Sequence, residues 1–357
     1  MQSATACAPG VRLNDRQWLR ARHPRADPNP MRIALAILLT SIAALAQRAG
    51  DVTMLTDGKL HVILCGTGSP LPDPERAGSC TAIIAGGQVI LIDAGPGSWR
   101  KAMVANIPGQ ALSAVLLTHF HSDHIGDLGE AMTMSWTNGR VGPLDVYGPV
   151  GVEQVVRGFA DSYELDGRYR ILHHGESIVP AKSHAMIAHT VEIPEADERR
   201  RVFVKNGLSV YAFRADHRPI EPAYGYRIEY GGRSVVVSGD TVYSENLVRH
   251  AAGADLLLHD AMLKNFITMA AAGLETQGQT RTAKMLRDII NYHASAADAA
   301  KAAAASRVET LVLTHLVPVP GAVGGEKAFL QGAGDIFTGK VVVARDGMRF
   351  DLEPKGQ

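Results

Sequence analysis

The chain has 357 residues, 46% of them hydrophobic and 20% charged, with 36 basic side chains against 36 acidic ones. That apolar content excludes a disordered chain and is ample for a large core; no apolar run reaches the roughly 18–20 residues of a membrane span, which excludes a polytopic membrane protein. The charge is uneven, because the first 46 residues hold six Arg, no Lys and two Asp, a net +4 that leaves −4 for the remainder. A slightly acidic body predicts no general affinity for nucleic acid.

Residues 1–30 contain Arg12, Arg16, Arg20, Arg22 and Arg25 among four prolines, without any apolar period. They read as an unstructured leader, or as an upstream over-extension of a frame that starts at Met31. Residues 31–46 run from Met31-Arg32 through about a dozen apolar residues to Ala44-Leu45-Ala46. A basic start, an apolar middle and a small-x-small end are the three regions of a secretory signal peptide. The expectation is export to the periplasm or beyond, with residues 47–357 as the mature domain and no membrane span in it. Cys7 would leave with the leader. Cys65 and Cys80 would then be either a disulfide, as an oxidising compartment permits, or two buried thiols on neighbouring strands.

Beyond Gly50, strand-like runs alternate with helical stretches. His61–Cys65 reads as a strand ending in Gly66-Thr67-Gly68, and residues 80–85 and 88–92 as a hairpin over Gly86-Gly87 closing at Asp93-Ala94-Gly95. Ala111–Thr118 is the next strand, Gly126–Trp136 a helix, Leu144–Tyr147 a strand and Val152–Tyr163 a helix. Residues 166–200 read as irregular and polar, with His173, His174, His184 and His189 solvated. Strands follow at 202–204 and 208–214, then a hairpin of 224–230 with 233–237 over Gly231-Gly232. Ser244–Ala252 reads as a helix, Asp255–His259 as a strand, and Lys264–Ala272, Thr282–Asn291 and Ala296–Ala305 as helices rich in good helix formers. A strand at 310–314 and a hairpin at 340–352 complete the pass. Both halves place hairpin strands before strand–helix units. The fold class expected is α/β (α+β), two sheets face to face with helices outside, a four-layer αββα sandwich.

The chemistry concentrates in His119-x-His121-x-Asp123-His124. Two histidines two apart at a strand end project to one side, and the following turn presents Asp123 and His124 as a second cluster, a spacing that suits two metals in one pocket. Further strand ends offer Asp216-His217, Ser238-Gly239-Asp240-Thr241 and Thr314-His315. A rigid sheet edge is a suitable mount for such a site. Imidazole and carboxylate ligands without thiolate favour two Zn²⁺, with iron or manganese as alternatives.

With Gly66-Thr67-Gly68 and Asp93-x-Gly95 upstream, the His119–His124 motif resembles the metallo-β-lactamase superfamily. Val146-Tyr-Gly-Pro149, Ser238-Gly-Asp-Thr241, His259-Asp-Ala261 and Leu313-Thr-His315 resemble its tRNase Z and arylsulfatase-like branch, over residues 60–350. The resemblance implies one metal on His119, His121 and His217, the other on Asp123, His124 and His315, and Asp240 bridging them. It also implies a substrate-side histidine 22 residues before the last ligand, here His293. A homodimer fits the branch, although no motif decides it.

The expected mechanism has a hydroxide bridging two divalent ions as nucleophile at neutral pH. Asp123 would orient or deprotonate the water, and His293 would stabilise the oxyanion or protonate the leaving oxygen. Asp260 would hold a ligand or His293. Asp93 would orient a ligand histidine or cap its turn, and His259 reads as a buried structural residue. Such a site suits a small anionic ester, a phosphodiester or sulfate ester, better than a lactone or β-lactam. The branch's tRNA-clamping arm lies between the third metal histidine and the bridging aspartate. Here only 23 residues part His217 from Asp240. The short interval and the apparent leader favour an exported phosphodiesterase or arylsulfatase-like hydrolase, with tRNA 3′ processing as the alternative and a non-enzymatic metal scaffold least favoured.

Overall fold

The computed structural model describes residues 50–195 and 198–356; the leader and signal-peptide expectations fall outside them. In chain order the first half holds β1 (Leu60–Gly66), β2 (Cys80–Ala85), β3 (Gln88–Ile92), α1 (Ser98–Val104), β4 (Leu112–Leu116), α2 (Ser122–Ile125), α3 (Leu128–Thr137), β5 (Leu144–Gly148), α4 (Val152–His174) and β6 (Met186–Thr190). The second half holds β7 (Arg199–Lys205), β8 (Leu208–Ala215), β9 (Ala223–Tyr230), β10 (Arg233–Val237), α5 (Glu245–Ala251), β11 (Leu256–Met262), α6 (Lys264–Thr276), α7 (Thr280–Ile289), α8 (Ala296–Ser306), β12 (Thr310–Val317), α9 (Lys327–Leu330), β13 (Lys340–Val343) and β14 (Arg349–Leu352).

Among the described residues the strands form two seven-stranded sheets, ordered β14-β1-β2-β3-β4-β5-β6 and β13-β12-β11-β10-β9-β8-β7. Alternation along each strand builds the layers. Ile90 and Ile92 of β3 point inward with Leu116, Val210, Tyr226, Val235 and Leu258 into a core between the sheets. Val89 and Leu91 point outward, into a second core closed by Trp99, Leu128, Met132 and Val152. On the far side, Val236, Leu257 and Leu311 pack beneath Leu247 and the alanine face of α8. Because β1–β3 are buried on both faces, they read as continuous apolar runs. The four-layer αββα sandwich is therefore present as expected.

Four local expectations are corrected. The helix from Val152 continues to His174, so much of the segment expected to be irregular is helical, and β6 follows it. His184 packs on Trp136 with ring centroids 4.5 Å apart, and His189 stacks on Tyr147 at 4.5 Å with Asp145 2.8 Å away; only His173 and His174 of the four loop histidines are exposed. Helix α1 was not anticipated. Finally, β13 and β14 are no hairpin: β13 pairs in parallel with β12, and β14 pairs antiparallel with β1 in the other sheet. Cys65 and Cys80, facing one another across β1 and β2, form a disulfide with Cα atoms 5.1 Å apart.

The second sheet is tied to the segment after β14 by a buried charge. Asp255 accepts from the Ser234 backbone N–H at 2.7 Å and from Arg233 at 2.7 Å, and Lys355 lies 2.9 Å away. Burial raises its pKa, but these donors more than offset that and hold the carboxyl below its usual range. A depressed carboxyl contributes stability above the unfolded pKa of about 3.9, lost as pH falls through the folded value. Asp255→Asn is therefore expected to cost about 1.5–3 kcal/mol at neutral pH. In urea titrations the difference from wild type should shrink as pH is taken below about 4; a constant difference would refute the charge argument.

Candidate metal centre

The strands β3, β4 and β5 are parallel, as are β10, β11 and β12, so their carboxyl ends collect at one edge of each sheet. Asp93, His119 and Asp240 follow β3, β4 and β10, Asp260 and His315 lie toward the ends of β11 and β12, His217 follows β8, and His293 lies between α7 and α8. The two edges are tied together: Tyr224 donates its backbone N–H to Thr118 at 2.9 Å, the Tyr226 hydroxyl donates to Leu117 O at 2.7 Å, and Leu316 N–H donates to Thr67 O at 3.2 Å.

Backbone packing explains the glycine of Asp93-x-Gly95. A Cβ on Gly95 would lie 2.1 Å from Asp123 O, so only glycine lets the turn after β3 approach the histidine loop. Asp93 adopts φ 61° and places its carboxylate under that loop. It accepts from Thr118 N–H and Oγ1, both at 2.8 Å, and its Oδ2 lies 2.8 Å from His124 Nδ1.

The structure brings two groups of potential ligands together: His119, His121, His217 and Asp240 in one, and Asp123, His124 and His315 in the other. Within each group the nearest ligand atoms all lie within 4.8 Å of one another. A third combination, Asp240, His293 and His315, meets the same distance. One carboxylate oxygen, Asp240 Oδ2, faces four imidazoles: His124 Nε2 at 3.3 Å, His315 Nε2 at 3.4 Å, His119 Nε2 at 3.8 Å and His217 Nε2 at 4.0 Å.

The outward nitrogens of two of these rings are spoken for. His217 Nδ1 donates to Tyr292 O at 2.9 Å and His124 Nδ1 donates to Asp93, an arrangement that fixes the tautomer and points Nε2 inward. Inward, His124 Nε2 and His217 Nε2 are buried without a hydrogen-bond partner among the described residues. Buried polar atoms are rarely left so, and orphaned imidazole nitrogens converging on a carboxylate fit a cation between them.

Electrostatics agree with that fit. Burial disfavours the charged form of every group here. His119, surrounded by other histidines, is held well below the usual imidazole range. For His315 the carboxylates of Asp240 and Asp123 outweigh burial and push it up to about 9. Asp240 is held well below the usual carboxylate range, because His315 and His124 outweigh its burial. The pocket thus carries concentrated charge that an ion would organise.

His293 stands beside this cluster, its ring stacked 5.2 Å from His315. Its Nδ1 lies 3.0 Å from Asp260 Oδ2, which also accepts from Ala294 N–H at 3.2 Å. His259 is fully buried, its Nδ1 3.0 Å from Asp260 Oδ1 and 3.0 Å from Asp260 O. Asp260 therefore sits between two histidines rather than against a ligand of the cluster. Two participants escape a reading of motifs. Thr118 links Asp93 to His119 through its hydroxyl, and its position just before His119 was the available signal. Tyr292 supplies the carbonyl that orients His217, a backbone role with no residue-type signature.

Comparison with known proteins now gives the class. A family model described as the beta-lactamase superfamily domain matches residues 88–316, and the chain belongs to the metallo-β-lactamase superfamily, in its tRNase Z branch. It is similar to the ribonuclease Z of Mycobacterium bovis, 37% identical over 299 residues that cover 83% of this chain and 99% of that protein. The ribonuclease Z of Mycobacterium marinum is 36% identical over 83% of this chain and 100% of its own length. Among solved structures, a metallo-beta-lactamase fold protein from Bacillus subtilis superposes with a TM-score of 0.59 at 20% identity, covering 82% of this chain and 99% of its own. The short form of human tRNase Z superposes at 0.55 with 22% identity, covering 82% and 99% respectively. The chain is a hydrolase of this fold, with His/Asp clusters suited to a divalent metal.

These relatives overturn two expectations. The exported sulfate- or small-ester hydrolase gives way, because the curated relatives that match nearly end to end are ribonucleases. The exclusion of nucleic acid falls with it. Its physical basis was a slightly acidic body after residue 46, the apparent leader and a short interval from His217 to Asp240. The structure shows that interval to hold only β9, β10 and their connections, and none of these observations bears on what the pocket itself can cleave.

Proposed function

We propose that this protein is a tRNase Z-type endoribonuclease, a metal-dependent phosphodiesterase acting at the 3′ side of tRNA precursors. The observation that carries this reading is the 37% identity to a ribonuclease Z across 99% of that protein's length. The residue set supports two ions, zinc first among the candidates. His119, His121 and His217 would hold one and Asp123, His124 and His315 the other, with Asp240 between the two groups. When bound, such ions lower the pKa of water and neutralise charge on the phosphoryl oxygens.

The chain's own groups divide the remaining work. Asp123 lies in the pocket with one oxygen 3.0 Å from His315 Nε2, where it can take a proton from the attacking water. His293, its Nδ1 side held by Asp260, leaves Nε2 to deliver a proton to the leaving ribose oxygen. Asp93, Thr118 and Tyr292 O keep the histidines oriented. The attack forms a P–O bond to water and breaks the P–O bond to the leaving ribose; the proton that water gives up to Asp123 is balanced by the one His293 donates to the ribose oxygen.

The test is cleavage of a 3′-extended tRNA precursor by the purified protein, beside p-nitrophenyl sulfate. One defined cut in the RNA, abolished by chelator and restored by Zn²⁺ or Mn²⁺, is the expected result. Metal-loaded protein that leaves the precursor intact would overturn the assignment.

A further inference from the structure

Tyr292 has a second part to play besides lending its carbonyl to His217. Its ring meets His217 edge to face, with centroids 4.9 Å apart at an interplanar angle of 90°, and lies 4.9 Å from the ring of His293. Among the described residues it is the one non-histidine ring in contact with the histidine cluster. The side chain is half-buried. Its contacts with His217 and His293 set the ring on the side of the cluster where His293 stands. The backbone beneath it is fixed at both ends, by the Tyr292 carbonyl on His217 and by the Asp260 carboxylate on Ala294 N–H. The ring is thus a rigid, partly open aromatic face beside the place where a phosphodiester would be cut.

Resting on the endoribonuclease reading, we propose that Tyr292 is the stacking face for the nucleobase adjoining the scissile phosphate. A base has an aromatic face whatever its sequence, so such a contact grips RNA without reading it. It also answers a need of this chain. With only a hairpin between His217 and Asp240, a grip next to the cut carries more of the binding. A structural wall would need bulk alone, and a proton donor would need the hydroxyl. A stacking face needs neither, only a flat ring, and that difference makes the three roles separable.

The experiment compares wild type, Tyr292→Phe and Tyr292→Leu, each with bound metal measured, on an intact 3′-extended tRNA precursor. The same enzymes are then run on two precursors carrying an abasic nucleotide on one or the other side of the cut. Stacking of one base predicts that Tyr292→Leu loses about 5- to 100-fold in kcat/KM, mainly through KM, while Tyr292→Phe stays close to wild type. Wild type should lose a similar factor on one abasic precursor, on which Tyr292→Leu then shows no further loss. A Phe variant as impaired as Leu assigns the role to the hydroxyl and overturns the proposal. So does a Leu defect that persists on both abasic precursors, or that follows lost metal. If Tyr292→Leu does not fold, the wild-type comparison decides: equal rates on all three precursors overturn stacking. Wild-type enzyme that cuts no precursor rejects the endoribonuclease reading itself, and this inference with it.

Discussion

Asp240→Ala is expected to abolish RNA cleavage, by about 10³-fold or more, given that metal-centred charge stabilisation supplies several kcal/mol and each 1.36 kcal/mol is tenfold in rate. The reason lies in the position of one atom. Asp240 Oδ2 faces His124, His315, His119 and His217 at 3.3–4.0 Å. Without it, both halves of the cluster lose the negative charge they share, and histidines evolved to face an anion face one another. Bound metal should fall with activity, which element analysis of the purified variant would show. The fold should survive, because the ion-pair partners of the Asp240 carboxylate are histidines of the cluster. Asp240→Asn keeps the shape without the charge and should resemble the alanine variant. Full activity in Asp240→Asn would remove the central carboxylate from the mechanism.

His293→Ala should cost about 10²–10⁴-fold on RNA, the usual range for a general acid, with bound metal unchanged. The diagnostic is the leaving group. A ribose oxygen needs a proton as it departs; p-nitrophenolate does not. The same variant should therefore cleave bis-p-nitrophenyl phosphate within a few-fold of wild type. Asp260→Asn should show the same pattern more weakly, by about 10–100-fold, as residues that orient a working group generally do. Equal losses on both substrates would instead give His293 a part in holding the cluster, a reading its stacking on His315 makes concrete.

How far the sequence could be read followed from how each segment is buried. Strands enclosed on both faces, such as β1, β3 and β11, advertise themselves as unbroken apolar runs. The loops at their ends stand out because polar, metal-competent residues follow immediately, and His119–His124 and Asp240 were legible for that reason. The misses share the opposite property. Strand β6 has no fully buried residue, and its neighbourhood is polar, so no alternation marked it. Helix α4 buries only Val152, Val156 and Gly167 of its 23 residues; its polar C-terminal turns look like loop. The short interval after His217 was read correctly in length and wrongly in meaning, since chain length reports on a missing appendage and not on the bond a pocket can break. Tyr292 escaped because its contact with the cluster depends on the helical segment between β11 and β12 folding back, which no local pattern announces.

The pairing of β14 with β1 has a consequence for how the protein is made. His61 and Asp351 meet across that pair although 290 positions separate them. As the chain emerges during synthesis, β1 has β2 on one flank and an open edge on the other until nearly all the intervening residues have followed. Contacts so distant along the chain are slow to form, and an unpaired strand edge invites pairing with other chains. The same delay governs the pocket, whose residues span His119 to His315. A newborn chain can therefore present only part of the set suited to an ion, and the complete cluster cannot assemble on the ribosome before the second sheet exists.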